Sequence, residues 1–176
     1  MSKNSSTEFR YDWTVPAGDG TVTMSLGVAQ DLVGNVVVAT PTSNPSFLVD
    51  NTVPTYSAGE VANADPNNIS LTFTDAHALT ATDLSAADFD IEKLGGPGGY
   101  TYLHQGSAYP DASINFVGGN VLDISLNTAV QNGDVLVATY TKSATYTNQN
   151  IKDVAGNELA SFTRSGNISN NVGGEG

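Results

Sequence analysis

The sequence predicts an all-β fold of the sandwich or barrel kind. Three observations carry this: apolar residues alternate with period two, helical periodicity is nearly missing, and turn residues punctuate the chain at short intervals. Val22, Met24, Leu26 and Val28 alternate with Thr23, Ser25 and Gly27. Ile69, Leu71 and Phe73 alternate with Ser70 and Thr72, and Leu122, Ile124 and Leu126 with Asp123 and Ser125. Each pattern predicts a strand with one face in a core and the other toward solvent. Val135 to Tyr140 is apolar on both faces, as a central strand would be; Val36–Val38 and Phe47–Val49 are shorter candidates. Phe9, Tyr11 and Trp13 also alternate, which predicts a strand packing these rings into a core.

Turns account for much of the remainder. Gly18-Asp19-Gly20, Gly118-Gly119-Asn120 and Asn132-Gly133-Asp134 supply residues that accept positive φ at low cost. One short helical turn is expected at Ser85–Asp88, capped by Asp83 or Ser85, leading into a strand at Phe89. Gly95 to Gly99 reads as loop.

Charge is the strongest compositional signal. Eighteen carboxylates face six Lys and Arg, for a formal net charge of −12. Such a chain repels nucleic acid and anionic lipid, so neither is an expected partner. Thirteen of the carboxylates are Asp, which favours turns and can supply hard oxygen ligands. Cysteine is absent, which excludes disulfides, zinc–thiolate sites and thiol catalysis. No apolar run reaches the roughly 18 residues a spanning helix needs, so membrane insertion is not expected. The first six residues lack the apolar core of a signal peptide; if the parent protein is secreted, its export signal is expected to lie outside this sequence.

Asp50 to Thr55 is the natural linker: it follows a strand, contains Pro54 and precedes a fresh run of strands. The chain therefore divides into residues 1–52, with too few strands for a closed sandwich, residues 53–172, the size of a complete one, and a tail at 173–176. One short motif recurs: Asp31-Leu32-Val33-Gly34-Asn35 returns as Asp153-Val154-Ala155-Gly156-Asn157, each Asp-x-x-Gly-Asn.

These residues bring a family into view. Asp19-Gly20-Thr21-Val22-Thr23, the first Asp-x-x-Gly-Asn and Phe47-Leu48-Val49-Asp50-Asn51-Thr52-Val53-Pro54 together resemble the closing segment of bacterial Ig-like tandem repeats in very large surface adhesins. Residues 56–172 are similar to the repeat of a cyanobacterial swimming-motility cell-surface protein, through Ile69–Phe73, Ser85–Phe89, Asn120–Leu126, Gly133-Asp134 and Asp153–Asn157. The resemblance implies immunoglobulin-like Greek-key β-sandwiches, one partial and one complete, in an extracellular adhesin or surface-layer-like protein. Its implied partners are neighbouring repeats of the same chain, with a cell-surface glycan or protein as a further one. Residues 95–110 depart from the pattern as a long Gly- and Tyr-containing insertion.

The resemblance also implies calcium at repeat junctions, with Asp31, Asn35 and Asp50 near one and Asp153 and Asn157 near the next. The chemistry is compatible, since the motif offers a carboxylate and an amide on a tight turn and calcium takes six to eight oxygens. The same residues equally serve as turn caps for backbone N–H groups. Catalysis has little support: His77 and His104 show no metal-ligand spacing and read as loop residues, and no nucleophile elbow, zinc helix or phosphate loop is present. The chain is expected not to be an enzyme. The alternative to a calcium-stiffened spacer is a carbohydrate- or protein-binding module. It would use Tyr100, Tyr102, His104 and Tyr109 around the Gly-rich loop, where aromatic rings make stacking platforms.

Overall fold

A computed structural model of the chain describes residues 2–5, 8–15, 17–27, 30–36, 41, 43–106, 113–166 and 168–173. The chain forms two compact units, Met1–Thr52 and Val53–Gly176. Among the described residues every regular element is a strand except one 3-10 turn, so the all-β expectation holds.

The first unit contains two strand pairs. β1 (Ser2–Lys3) pairs with β2 (Phe9–Arg10), and β3 (Gly20–Thr23) with β4 (Ser46–Val49), both antiparallel. Val22 sits opposite Phe47 and Thr21 opposite Leu48. None of its described residues is buried. This corrects two expectations. The alternation from Val22 does not enter a core: the strand stops at Thr23, Met24 and Leu26 are exposed, and Val28 lies outside the described residues. Phe9, Tyr11 and Trp13 are exposed too, with Trp13 meeting the edge of Phe47 at 6.4 Å. The reason is geometric: among its described residues the unit has only two-stranded ribbons, and a ribbon of two strands by itself encloses no core. Of Val36–Val38 only Val36 is described, in an isolated bridge with Gln30.

The second unit is a two-sheet sandwich. Its strands are β5 (Thr55–Val61), β6 (Asn68–Thr74), β7 (Phe89–Gly95), β8 (Thr101–Gln105), β9 (Ile114–Gly118), β10 (Val121–Ser125), β11 (Val135–Tyr140), β12 (Phe162–Ser165) and β13 (Ile168–Asn170). One sheet runs β13-β5-β6-β10-β9 and the other β12-β11-β7-β8. β5–β6, β7–β8 and β9–β10 are hairpins, and among the described residues only β13 against β5 is parallel, with Ile168 opposite Gly59 and Asn170 opposite Val61. The 3-10 turn Ala86–Asp88 lies where the helical signal stood, and Ser85 is its cap, its Oγ accepting from the Ala87 N–H at 3.2 Å.

The core lies between the sheets. Ile69, Leu71 and Phe73 of β6 and Leu122 and Ile124 of β10 face Phe89 and Ile91 of β7 and Leu136, Ala138 and Tyr140 of β11. Those of β6 and β10 are the alternating residues of the sequence, and all of them are buried. A chain of rings ties the sheets together. Phe89 lies 5.0 Å from Tyr140, Tyr140 lies 5.9 Å from Phe162, Phe162 stacks on Tyr56 at 4.7 Å, and Tyr56 meets Phe73 edge-on at 6.1 Å. The first three belong to one sheet and the last two to the other. Each such contact adds about 0.5–1.5 kcal/mol beyond burial. Tyr140 also bonds beyond the ring chain. Its hydroxyl accepts the Ile151 N–H at 3.2 Å, and burial pushes its phenol above the ordinary range.

Because all the enclosed core belongs to the second unit, substitutions should separate cleanly by position. Leu122→Ala is expected to cost about 2–5 kcal/mol, whereas Leu26→Ala stays within about 0.5 kcal/mol. Urea unfolding followed by far-UV circular dichroism measures both.

Candidate functional site

The two Asp-x-x-Gly-Asn motifs fold into the same corner. In the first, Asp31 Oδ1 accepts the Val33 and Asn35 N–H groups at 2.9 and 2.8 Å, and Oδ2 accepts Asn35 Nδ2 at 2.7 Å. In the second, Asp153 Oδ1 accepts the Asn157 N–H at 2.9 Å and Oδ2 accepts Asn157 Nδ2 at 2.8 Å. Both corners are closed by a backbone bond from the Asp N–H to the Asn carbonyl, at 3.0 and 3.1 Å. Gly34 and Gly156 occupy φ of 93° and 95°, a region where an L side chain is strained, which is why the fourth residue is glycine both times. The carboxylates are thus turned onto their own loops. A carboxylate has about four lone-pair directions, and three of those on Asp31 are taken by N–H donors.

Asp50 sits in a separate lock within the first unit. Its Oδ1 accepts the Thr52 N–H at 3.1 Å. Asp19, read in the sequence only as a turn residue, holds the same segment: its Oδ1 accepts the Asn51 N–H at 2.7 Å and its Oδ2 the Thr52 hydroxyl. Asn51 Nδ2 donates to the Gly18 carbonyl at 2.8 Å. The 50–52 segment is therefore pinned to the Gly18–Gly20 turn.

The second corner is braced further. Glu158, just beyond Asn157, accepts Lys142 Nζ at 3.1 Å and Asn150 Nδ2 at 3.3 Å. Asn150 is buried and its Oδ1 accepts the Ser143 N–H at 2.8 Å. Lys142, followed by Asn150, holds the Glu158 carboxyl below the usual range. Burial pushes the Asp153 carboxyl up, but the Asn157 side-chain and backbone donors outweigh it, and the net shift is downward. For Asp31 the Asn35 side chain is the main cause of a downward shift.

The described part of the 95–110 segment, up to Gly106, is not one long loop. Residues 96–100 make the turn, after which Thr101–Gln105 is strand β8; Tyr109 lies outside the described residues. Tyr100 and Tyr102 come together edge-to-face at 5.9 Å. His104 does not join them. It is 1% exposed, and its Nε2 lies 2.8 Å from the Ala86 carbonyl, because the β7–β8 bulge turns it toward the buried side beside Ile91. His77 lies in a bend between β6 and β7.

What the tyrosines do join is a cluster that sequence reading missed. Along β7, Phe89 and Ile91 face the core, so Asp90 and Glu92 face outward. Cross-strand pairing places Val137, Glu92 and Tyr102 in one row across that outer face. Yet Glu92 is only 4% exposed. Arg164 of β12 lies over it, with Nε 3.2 Å from Oε1 and Nη2 2.7 Å from Oε2, and the Tyr100 hydroxyl donates to Oε2 at 2.9 Å. Hydrogen bonds with Tyr102 and then Glu92 push the Tyr100 phenol up to about 12, so it remains a donor at neutral pH. Arg164 reaches this position through an unusual backbone: φ is 49°, its N–H donates to Thr139 Oγ1 at 3.1 Å, and the β11–β12 register shifts between Ala138 and Tyr140. Such irregularities re-aim side chains. On the inner side of the same strand, Lys93 Nζ lies 3.3 Å from Asp134 Oδ1, both buried, and donates to the Pro97 carbonyl.

Comparisons with known proteins add little beyond this geometry. No family model and no curated protein matches the chain. Among solved structures it is similar to the N-terminal part of the bacterial S-layer protein SbsC, at 15% identity and a TM-score of 0.43, over 63% of this chain and 22% of that one.

The depressed carboxyls set the pH response. A group whose folded pKa lies below its unfolded value contributes stability above the unfolded pKa and loses it as pH falls through the folded one. Asp31, Asp153 and Glu158 are all of this kind. Asp153→Ala is expected to cost about 1–3 kcal/mol at pH 7, with the gap to the parent chain narrowing below about pH 4. Urea midpoints at pH 7 and pH 3 check both parts.

Proposed function

We propose that the chain is a structural module of a large extracellular bacterial surface protein, a spacer built of immunoglobulin-like repeats that works between neighbouring repeats and not as an enzyme. The observation that carries this reading is the parallel pairing of β5 with β13, the first and last strands of the second unit. Parallel neighbours start at the same end, so a chain entering through β5 and leaving through β13 enters and exits at opposite ends of the sheet. Tension along the chain then loads the bonds between the two strands in shear, all at once, instead of opening them one by one.

Side chains reinforce the pair. Asn171 donates its backbone N–H to the Val61 carbonyl at 3.0 Å and its Nδ2 to Glu60 Oε1 at 2.8 Å. Asn170 Nδ2 donates to the Gln131 and Asp134 carbonyls at 2.8 and 3.0 Å. The Gly173 N–H donates to Asn63 Oδ1 at 2.7 Å. A latch of this density at the exit strand suits a unit under tension.

Single-molecule pulling tests the reading, and a chain without cysteine accepts unique attachment points. Handles at Val53→Cys and Gly173→Cys load the pair in shear; handles at Val53→Cys and Gly166→Cys peel it. The shear geometry is expected to rupture at severalfold higher force, and equal forces would refute the spacer.

Calcium stiffening is the finer part of the proposal, with Asp31, Asn35, Asp50, Asp153 and Asn157 as ligands. The ion has to use the lone pairs that the corner N–H groups leave over. A tenfold excess over a dissociation constant of about 10⁻⁴–10⁻³ M would add about 1.4 kcal/mol. Calcium is therefore expected to raise the melting midpoint by roughly 3–8 °C, an effect magnesium fails to reproduce. Coincident curves in calcium and chelator would remove calcium from the spacer.

A further inference from the structure

The outer face of the β12-β11-β7-β8 sheet carries an arrangement that folding alone does not require. Solvent-facing strand positions are ordinarily left to water, yet Glu92 is withdrawn from water there and enclosed by Tyr100 from across the β7–β8 turn and by Arg164 from far along the chain. Arg164 adopts a left-handed backbone to reach it. The Tyr100 ring meanwhile stays 53% exposed at the edge of Tyr102, and the Arg164 side chain is equally open.

We propose that Tyr100, Tyr102 and Arg164, held in place by Glu92, form a binding platform for a neutral oligosaccharide. Three features define the ligand class. The exposed tyrosine ring matches the C–H face of a sugar ring, which is apolar and roughly flat. Arg164 commits Nε and Nη2 to Glu92 and Tyr100, and among the described residues its Nη1 has no acceptor, which leaves N–H groups for hydroxyl oxygens. The charge of Arg164 is cancelled by Glu92 beneath it, and the chain as a whole carries −12, so an anionic saccharide gains nothing from the guanidinium and is repelled by the surroundings. Glu92 is a positioning residue: its oxygens are engaged by Arg164 and Tyr100, which fixes the two contact groups before any ligand arrives. This site is independent of the spacer reading, since a spacer needs no exposed platform and a platform needs no parallel terminal strands.

Affinity electrophoresis of the full chain tests it, in native gels containing laminarin, dextran, galactomannan or xyloglucan, with alginate as the anionic probe. At least one neutral polysaccharide is expected to retard the chain, and alginate is not. Tyr100→Ala and Arg164→Ala should each weaken that retardation about tenfold, while Tyr146→Ala, at an exposed tyrosine elsewhere, leaves it unchanged. Tyr100→Phe guards against a folding artefact, because it keeps the ring and should keep most of the binding. Absence of retardation by every neutral polysaccharide overturns the proposal. So does retardation by alginate alone, an undiminished Tyr100→Ala, or a Tyr100→Phe as weak as Tyr100→Ala.

Discussion

The second unit depends on one long-range closure, the pairing of its first strand with its last. Gly59 meets Ile168 and Val61 meets Asn170, so the pair closes a loop that spans nearly the whole unit. Closing a loop of that length costs entropy that grows slowly with length but is incurred before the contacts that offset it. The ring chain from Phe89 to Phe73 supplies part of that offset, because it joins the sheets through side chains from five strands. Tyr140 sits in the middle and extends the same packing outward, its hydroxyl fixing Ile151 at the root of the second Asp-x-x-Gly-Asn corner. Core, closure and corner are in this sense one structure.

The acidity of the chain takes on a different meaning once its carboxylates are located. Many are engaged inside the fold as acceptors for backbone N–H groups: Asp19 on Asn51, Asp31 on Val33 and Asn35, Asp75 on His77, Asp134 on Gln131, and Asp153 on Asn157. In all but the Asp19 case the backbone lies two to four residues away, a reach that suits the short side chain of aspartate. The few cations are placed just as selectively. Lys93 and Arg164 serve the buried carboxylates Asp134 and Glu92, and Lys142 braces Glu158. Removing one partner of a buried pair leaves an uncompensated charge, so these cations weigh more than their number suggests.

How much of this could be read in advance followed from how local each signal was. β6 and β10 were legible because one buried face imposes period two on consecutive residues, β11 because its run is apolar on both faces, and the Asp-x-x-Gly-Asn corners because five adjacent residues contain the whole turn. β7 and β8 were harder. Glu92, Lys93 and His104 are buried polar residues within strands, and their partners Arg164, Asp134 and Ala86 lie 72, 41 and 18 positions away. The strand at Phe89 was expected, but polarity disguised β8 as loop around His104, and no spacing rule connects Glu92 with Arg164. The first unit failed in the opposite way: Val22, Met24 and Leu26 alternate as a buried strand does, but burial needs a second layer, which alternation cannot report.

The closure of β13 onto β5 is tested most directly by native-state amide hydrogen exchange. If the closure is integral to the unit, the Asn171 amide, bonded to the Val61 carbonyl, exchanges only through global unfolding and at the same opening free energy as the amides of β6 and β10. Exchange of Asn171 through a separate, lower-energy opening, with β6 and β10 still protected, would show that the last strand is an appendage and would contradict its role in holding the unit closed.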